Sequence, residues 1–445
     1  MNIKAPRGTY DALPGKIERY QYIEKVFRSV AERFGYREVR TPVFEYTELF
    51  ERGVGDTTDI VQKEMYTFLD RGERSITLRP EGTSPVVRAF VEKEIYKQEA
   101  LPQKYYYAAI PILRYERPQA GRLRQHHQFG IELFGTNDPR SDVEVMDLLY
   151  SFYKELGLEN IELQINSVGC PDCREDHRKE LYDFLIDKKD ALCSTCQDRL
   201  DKNPMRILDC KNPKCQEVTK KAPVMVDYLC GDCLDHYNGV KEGLENIHIN
   251  YIENLRLVRG LDYYTNTAFE LVNYSLEGSN NVIGAGGRYN GLIEEIGGPN
   301  MPGIGFGSGL ERVDLALEAE EVVIPDKKYC HIFVLLADDK VFNKGQEIVH
   351  KLRRAGFATD TEYTGRSFRS QMKHADRLNA KYTIILGSIE LEKGHVIVRN
   401  MKSGNQEEVD FGEIVSFFKE WSTLDAHQNK HIKDIYSNKS IFYAN

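Results

Sequence analysis

Two runs that read as long β-strands, KYYYAAIPILR (104–114) and QHHQFGIELF (125–134), flank the loop RYERPQAGR, which carries Pro118 and Gly121. Strands joined in this way read as a hairpin with a long basic loop. Its chemistry constrains the fold further. The hairpin holds Arg114, Arg117, Arg122 and Arg124 with Glu116 and Glu132, where a buried strand should be plainly apolar. A solvated charged face has the same composition. A second stretch, LVRGLDYYTNTAFE (257–270), interleaves arginine, acid and aromatic residues in the same manner, which favours a pocket for a polyanion. Arginine grips phosphate oxygens through two parallel hydrogen bonds and lays its flat face on a base, a combination that suits a nucleotide.

Ahead of the hairpin, residues 15–34 place Ile17, Tyr20, Ile23, Phe27, Val30 and Phe34 at a helical period closed by Gly35. Strand-like REVRTPVFE follows. MYTFLD and SITLRP read as two strands about the turn Arg71-Gly72-Glu73, and PEGTSPVVRAFVEKEIY starts a helix that presents Glu81 and Thr83 at a strand end. From about 170 to 250 the strand rhythm breaks into cysteine pairs and charged helical pieces, as an inserted module would. A third arginine-bearing segment, GIGFGSGLERV (303–313), puts four glycines directly before a helix with Arg312 in its first turns. Acids and then Pro325 mark a linker. Beyond it HIFVLLA, TDTEY and YTIILG alternate with helices over about 340–355 and 367–379, which argues a mostly parallel α/β sheet.

In this order the three arginine segments resemble the motifs of class II aminoacyl-tRNA synthetases, and LVRGLDYYT resembles the signature of the histidyl-tRNA synthetase family. PRGTYDALPG, TLRPEGT, NPMRILDCK and GAGGRYNGL extend the likeness over nearly the whole chain. The resemblance implies an α+β fold: a class II synthetase antiparallel sheet core with helices, an inserted cysteine-rich module and a C-terminal α/β domain. It implies a catalytic domain over 1–325 with the insertion at about 170–250, an anticodon-binding α/β domain over 326–424 and a polar tail over 425–445, for which no role emerges. The first helix, the strand and Pro42 are similar to the motif that forms a homodimer interface; a core helix with an ordinary strand fits the pattern equally well.

The same resemblance implies a reaction and its residues. Histidine would be activated with ATP and Mg2+ to histidyl-adenylate and passed to the 3' end of tRNA(His). Arg114 would hold the α-phosphate, Arg122 would point to the γ-phosphate, Glu116 would meet the adenine amino group and Arg312 would stack on the adenine. On the other adenine face the family commonly has an aromatic ring, where this chain has His126. Arg259 would bridge the amino-acid carboxylate and the α-phosphate, making it, with Arg114, the catalytic pair. A carboxylate is already ionised at pH 7, so no side-chain base is required. Glu132 and Tyr264 are the candidates for the imidazole. Glu81, Thr83 and Gln128 are those for the ammonium and carboxylate, with Tyr263 beside them and the glycines of GAGGRYNGL admitting close backbone approach. Buried tyrosines and glutamines are commonly structural. In the last domain Lys351, Arg353, Arg354, Arg366, Arg369, Lys373, Arg377 and Lys381 offer a basic surface for RNA phosphates, which a solvated helix face would also explain.

Eight of nine cysteines fall in pairs, Cys170/Cys173, Cys193/Cys196, Cys210/Cys215 and Cys230/Cys233, while Cys330 stands alone. In a reducing compartment such spacing suits one or two structural zinc sites, and equally a module that carries no metal. With 41% hydrophobic and 29% charged residues among 445, the chain can build two or three cored domains. No apolar run approaches a membrane span and MNIKAPRGTY has no apolar leader, so a cytoplasmic protein is expected. At a net charge of -9, RNA would have to bind local basic patches. Two other classes share the core: a regulatory paralogue acting on ATP phosphoribosyltransferase, and a sensor domain of a regulatory kinase. The intact LVRGLDYYT and basic-loop strings speak against the first, and no kinase segment accompanies this chain.

Overall fold

A computed structural model describes residues 3–55, 58, 60–118, 123–261, 263–277, 281–325 and 330–421. The chain divides into two compact units, Met1–Pro325 and Asp326–Asn445.

The first unit is organised by an eight-stranded sheet. Its order is Arg37–Glu38, Gln103–Leu113, Gln125–Phe134, Gly303–Gly309, Val282–Arg288, Thr265–Asn273, Ile161–Ser167 and Tyr251–Glu253, with antiparallel pairing throughout except at the two edges. Period-two alternation splits each central strand between two surfaces. In Gln125–Phe134 the residues Phe129, Ile131 and Leu133 enter one core, together with Ile304 and Phe306 of the neighbouring strand. Helix Lys16–Arg33 covers that surface, its Phe27 ring lying 4.8 Å from Phe129. Helix Pro139–Leu156 joins it, begun by Asp138 accepting from the Arg140 amide and ended at Gly157, whose φ of 94° suits glycine. Gln128, Gly130 and Glu132 alternate onto the opposite surface.

Gly303, Gly305, Gly307 and Gly309 also fall on that opposite surface, because Ile304 and Phe306 take the core positions. The segment leading into helix Leu310–Ala319 is thus an interior strand with one face stripped to backbone. Register sets Gly305 against Glu132 and Gly309 against Gln128. A Cβ on Gly305 would come within 2.2 Å of Glu132 Oε2, and one on Gly307 within 2.0 Å of Gln128 Nε2. Glycine here makes room for two polar side chains.

REVRTPVFE is not one strand. It breaks into Arg37–Glu38, on the large sheet, and Phe44–Tyr46, in a separate sheet with Ser75–Leu78 and Tyr66–Leu69. Pro42 lacks an amide donor. The buried guanidinium of Arg79 collects the carbonyls of Thr41, Pro42 and Pro111 in place of a ladder.

The second unit has a five-stranded sheet in the order Thr359–Thr361, Ile332–Leu336, Tyr382–Leu386, His395–Asn400, Gln406–Asp410. The first three strands are parallel, connected by helices Phe342–Arg354 and Phe368–Arg377, and the last two add antiparallel. The polar tail over 425–445 lies outside the described residues.

Candidate active site

The sheet surface left free by helices Lys16–Arg33 and Pro139–Leu156 holds a cavity of about 520 Å³. Its walls bring together Arg114, Glu116, His126 and Gln128 from the hairpin, Glu81 and Thr83 from a helix start, Arg259, Tyr263 and Tyr264, and Arg312. Segments far apart in sequence therefore meet in one place. Arg122 lies outside the described residues.

Arg259 is the most constrained cation. Its Nη1 donates to Glu270 Oε1 at 2.6 Å and its guanidinium lies 5.4 Å from the Tyr264 ring. Burial opposes its charge, yet Tyr264 and Glu270 together hold its pKa above the ordinary value. Its Nε is buried without a hydrogen-bond partner. A buried donor left unpaired costs stability, which a ligand acceptor would recover. Arg114 is steered by donation from Nε to the Pro80 carbonyl at 2.6 Å, with Nη1 4.0 Å from Glu116 Oε1. Arg312 donates from Nη1 to the Val282 carbonyl at 2.8 Å, which pins it beside the glycine strand.

The acids are buried in different ways. Glu81, 3% exposed, accepts from the amides of Thr83 (2.6 Å) and Ser84 (2.7 Å) at the start of helix Thr83–Glu92. Burial still raises its pKa, against the pull of those donors and of Arg114. Glu132 is fully buried one layer behind the cavity wall, where it accepts from the hydroxyls of Tyr289 and Tyr107. Burial pushes its pKa to about 8. Tyr263 packs on Tyr264 at 4.7 Å and on Tyr289 at 5.6 Å, forming an aromatic wall between Glu132 and the arginines. His126 is the reverse case: burial, aided by Arg114, lowers its pKa to about 4, so its ring is neutral near pH 7.

Several cavity residues had no role in the sequence reading. Glu311 accepts from the His127 amide at 3.0 Å and pairs with His127 Nδ1 at 2.8 Å, locking the helix that carries Arg312 to the hairpin. Arg199 and Arg206 reach the cavity from the cysteine module. Arg206 falls within NPMRILDCK, whose likeness carried no role for it, and nothing local marks Arg199; their proximity depends on how that module folds. GAGGRYNGL departs from expectation. Gly284 and Ala285 line the cavity, but a Cβ on Gly286 would meet the Gly305 carbonyl at 2.2 Å, and one on Gly287 would lie 2.9 Å from the Tyr264 ring. These two glycines admit protein neighbours. Arg288 of the same string is fully buried against Asp142, with Nε 2.9 Å from both carboxylate oxygens.

The eight paired cysteines sort into two groups, Cys170, Cys173, Cys230, Cys233 and Cys193, Cys196, Cys210, Cys215, each with its sulfurs within 4.8 Å of one another. All are free thiols. In the second unit Lys351, Arg353, Arg354, Arg366, Arg369, Lys373 and Arg377 are exposed, while Lys381 is half-buried with its ammonium 4.8 Å from the Trp421 ring. Lys351 pairs with Glu347 at 2.6 Å and Arg366 with Glu362 at 3.6 Å.

An antiparallel sheet walled by helices on one face, with arginines converging over a glycine-floored cavity on the other, defines a class II aminoacyl-tRNA synthetase. Comparison with known proteins narrows the class. The histidyl-tRNA synthetase family profile matches residues 8–313, and that of an anticodon binding domain matches residues 322–421. A protein of Desulforamulus reducens named histidine--tRNA ligase is 50% identical over 416 residues, spanning 93% of this chain and 98% of its own. One of the same name from Pelotomaculum thermopropionicum is 50% identical over 415 residues, spanning 93% and 97%. The crystal structure of the apo histidyl-tRNA synthetase of S. aureus aligns with a TM-score of 0.80 at 38% identity, covering 94% of this chain and all of that one. The chain belongs to the histidyl-tRNA synthetase family.

Proposed function

We infer that this chain is a histidine--tRNA ligase, which activates histidine with ATP to histidyl-adenylate and transfers the histidyl group to the 3' end of tRNA(His). In the first step a histidine carboxylate oxygen attacks the α-phosphorus, the bond to the β-phosphate bridging oxygen breaks, and pyrophosphate leaves. Two anions must approach, so the site has to supply fixed positive charge where negative charge gathers. The observation that carries this reading is the convergence of Arg114, Arg259 and Arg312 on one cavity, with a buried Arg259 Nε in search of an acceptor.

Arg259 would span the carboxylate and the α-phosphate, Arg114 would hold that phosphate from the hairpin, and Arg122 would reach for the γ-phosphate. Arg312 and the neutral His126 ring would enclose the adenine, with Glu116 at its amino group. Tyr264 would read the imidazole with Glu132 backing it from behind the aromatic wall, while Glu81, Thr83, Gln128 and Tyr263 would receive the ammonium and carboxylate. Among the described residues, the groups of three or more close metal ligands are the cysteine ones. Mg2+ accordingly enters with the nucleotide phosphates, needing few protein carboxylates. Zinc is the ion suited to the cysteine module.

A homodimer is part of the same reading. Phe44, Tyr46 and Phe68 share one face of the small sheet by register and are 53%, 55% and 49% exposed, an apolar surface fit for a second copy. The C-terminal unit would take the anticodon on its exposed basic helices. No described helix is long and apolar enough to cross a membrane, and a cytoplasmic location goes with the reaction.

The test is exchange of labelled pyrophosphate into ATP, run separately with each of the twenty amino acids. Exchange with histidine alone supports the reading. A folded protein inert with histidine, ATP and magnesium overturns it and leaves a binding role such as the regulatory paralogue.

A further inference from the structure

We propose that the cysteine module is built on two nested zinc tetrathiolates, and that the inner one, Cys193, Cys196, Cys210 and Cys215, is the mount that holds Arg199 and Arg206 against phosphate in the catalytic cavity. The proposal rests on reading that cavity as an ATP site.

Geometry carries the metal sites. A tetrahedral zinc with bonds of about 2.3 Å to sulfur sets neighbouring sulfurs about 3.8 Å apart. Cys170 and Cys173 Sγ lie 3.5 Å apart, and Cys193 and Cys210 Sγ 3.9 Å, far beyond a disulfide bond and close to that edge. Three of the pairs are built alike. Cys170, Cys193 and Cys230 each cap a helix, and Cys173, Cys196 and Cys233 occupy its third position. Backbone amides then point at sulfur: Cys230 N donates to Cys173 Sγ at 3.0 Å and Cys193 N to Cys215 Sγ at 3.2 Å. Donors of this kind orient and stabilise thiolate ligands.

Topology carries the link to the cavity. The outer group joins the start and the end of the module, and the inner group closes a loop within it. Arg199 lies on helix Ser194–Lys202 and Arg206 on the turn Pro204–Ile207, both between Cys196 and Cys210. The core beneath them is small, formed of Leu181, Leu185, Leu192, Leu200, Ile207 and Leu208 with Cys196 and Cys215. So few apolar residues rarely hold a fold without a staple. Arg206 nevertheless reaches the catalytic string: a Cβ on Gly260 would sit 3.8 Å from its Nη2. A loop closed at the inner sulfurs presents two guanidinium groups to the nucleotide, next to Arg259.

Zinc is counted on wild-type protein purified without chelator, and the cobalt-substituted protein is examined for the visible bands of tetrahedral thiolate coordination. Two metal ions per chain are expected, falling to one in Cys193→Ser/Cys196→Ser. In histidine-dependent pyrophosphate exchange that double variant should raise KM for ATP by roughly tenfold and leave KM for histidine within about twofold. Arg206→Ala should reproduce the ATP effect while keeping both metal ions, with Arg206→Lys restoring part of it. If the double variant fails to fold, the wild-type metal count and the Arg206 pair still decide. Metal-free wild type, a metal count unmoved by the cysteine changes, or an unchanged KM for ATP in Arg206→Ala overturns the proposal. So does a rise confined to KM for tRNA in the charging reaction, which assigns the arginines to RNA phosphates. Two zinc ions in a wild type that performs no exchange would sink the ligase reading alone.

Discussion

Arg259 and Glu270 form a 2.6 Å ion pair that occupies one edge of the guanidinium and leaves its buried Nε unsatisfied. The carboxylate aims the cation without consuming it. Arg259→Ala or Arg259→His should therefore give a folded protein whose adenylation rate is lower by orders of magnitude. Glu270→Gln, which keeps the shape and weakens the aim, should lose less. Pyrophosphate exchange on variants of matched thermal stability measures both, and near-normal exchange by Arg259→Ala refutes the assignment.

Glu132 titrates at about 8 in the folded chain against an ordinary 4.5. The folded state thus binds a proton that the unfolded state has released between those values, so this group's contribution makes stability fall as pH rises from about 4.5 to 8. Glu132→Gln cannot titrate. Its melting temperature should decline less than that of the wild type across this window, and its KM for histidine should rise. Parallel declines in the two proteins would show that the carboxyl does not bear this proton.

Gly305 and Gly307 leave no room for a methyl group beside Glu132 and Gln128. Gly307→Ala should displace Gln128 and raise KM for histidine at least about fivefold, since a misplaced polar contact costs about 1 kcal/mol or more. Gly305→Ala should act through Glu132 in the same direction. Steady-state exchange kinetics at saturating ATP provide the check, and unaltered histidine kinetics in both variants would remove these side chains from recognition.

The Arg288–Asp142 pair is fully buried and remote from the reacting groups in its contacts. Arg288→Met would leave the buried Asp142 carboxylate without its guanidinium, with His236 Nε2 at 3.2 Å as a remaining partner, at a cost of about 3–5 kcal/mol. Urea denaturation should register that loss, and the double change Arg288→Met/Asp142→Leu should recover much of it. A single variant as stable as the wild type would mean that the pair contributes nothing.

What the sequence disclosed followed the range of its signals. The hairpin was legible because its strands and turn are contiguous, and the parallel part of the C-terminal sheet because strand and helix periods alternate cleanly. HVIVRN and QEEVD, the two antiparallel strands that complete that sheet, went unread: the second is short, charged and mostly exposed. REVRTPVFE was read as continuous because nothing local reveals that Arg79, from another segment, takes the carbonyls near Pro42. GIGFGSG did carry its signal, a period of two with Ile304 and Phe306 on the core side, masked by glycine's poor strand propensity. The tyrosines that shelter Glu132 and the arginines of the cysteine module are long-range facts, set by tertiary packing rather than by any neighbouring residue.

Because the sulfurs of Cys170 and Cys173 sit against those of Cys230 and Cys233, the polypeptide departs from the sheet and comes back to it at a single spot. Everything strung between behaves as a side branch on a stem. Residues gained or lost out along the branch leave strand alignment in the trunk undisturbed, so its length is free to drift outside the stretch that carries Arg199 and Arg206 to the cavity.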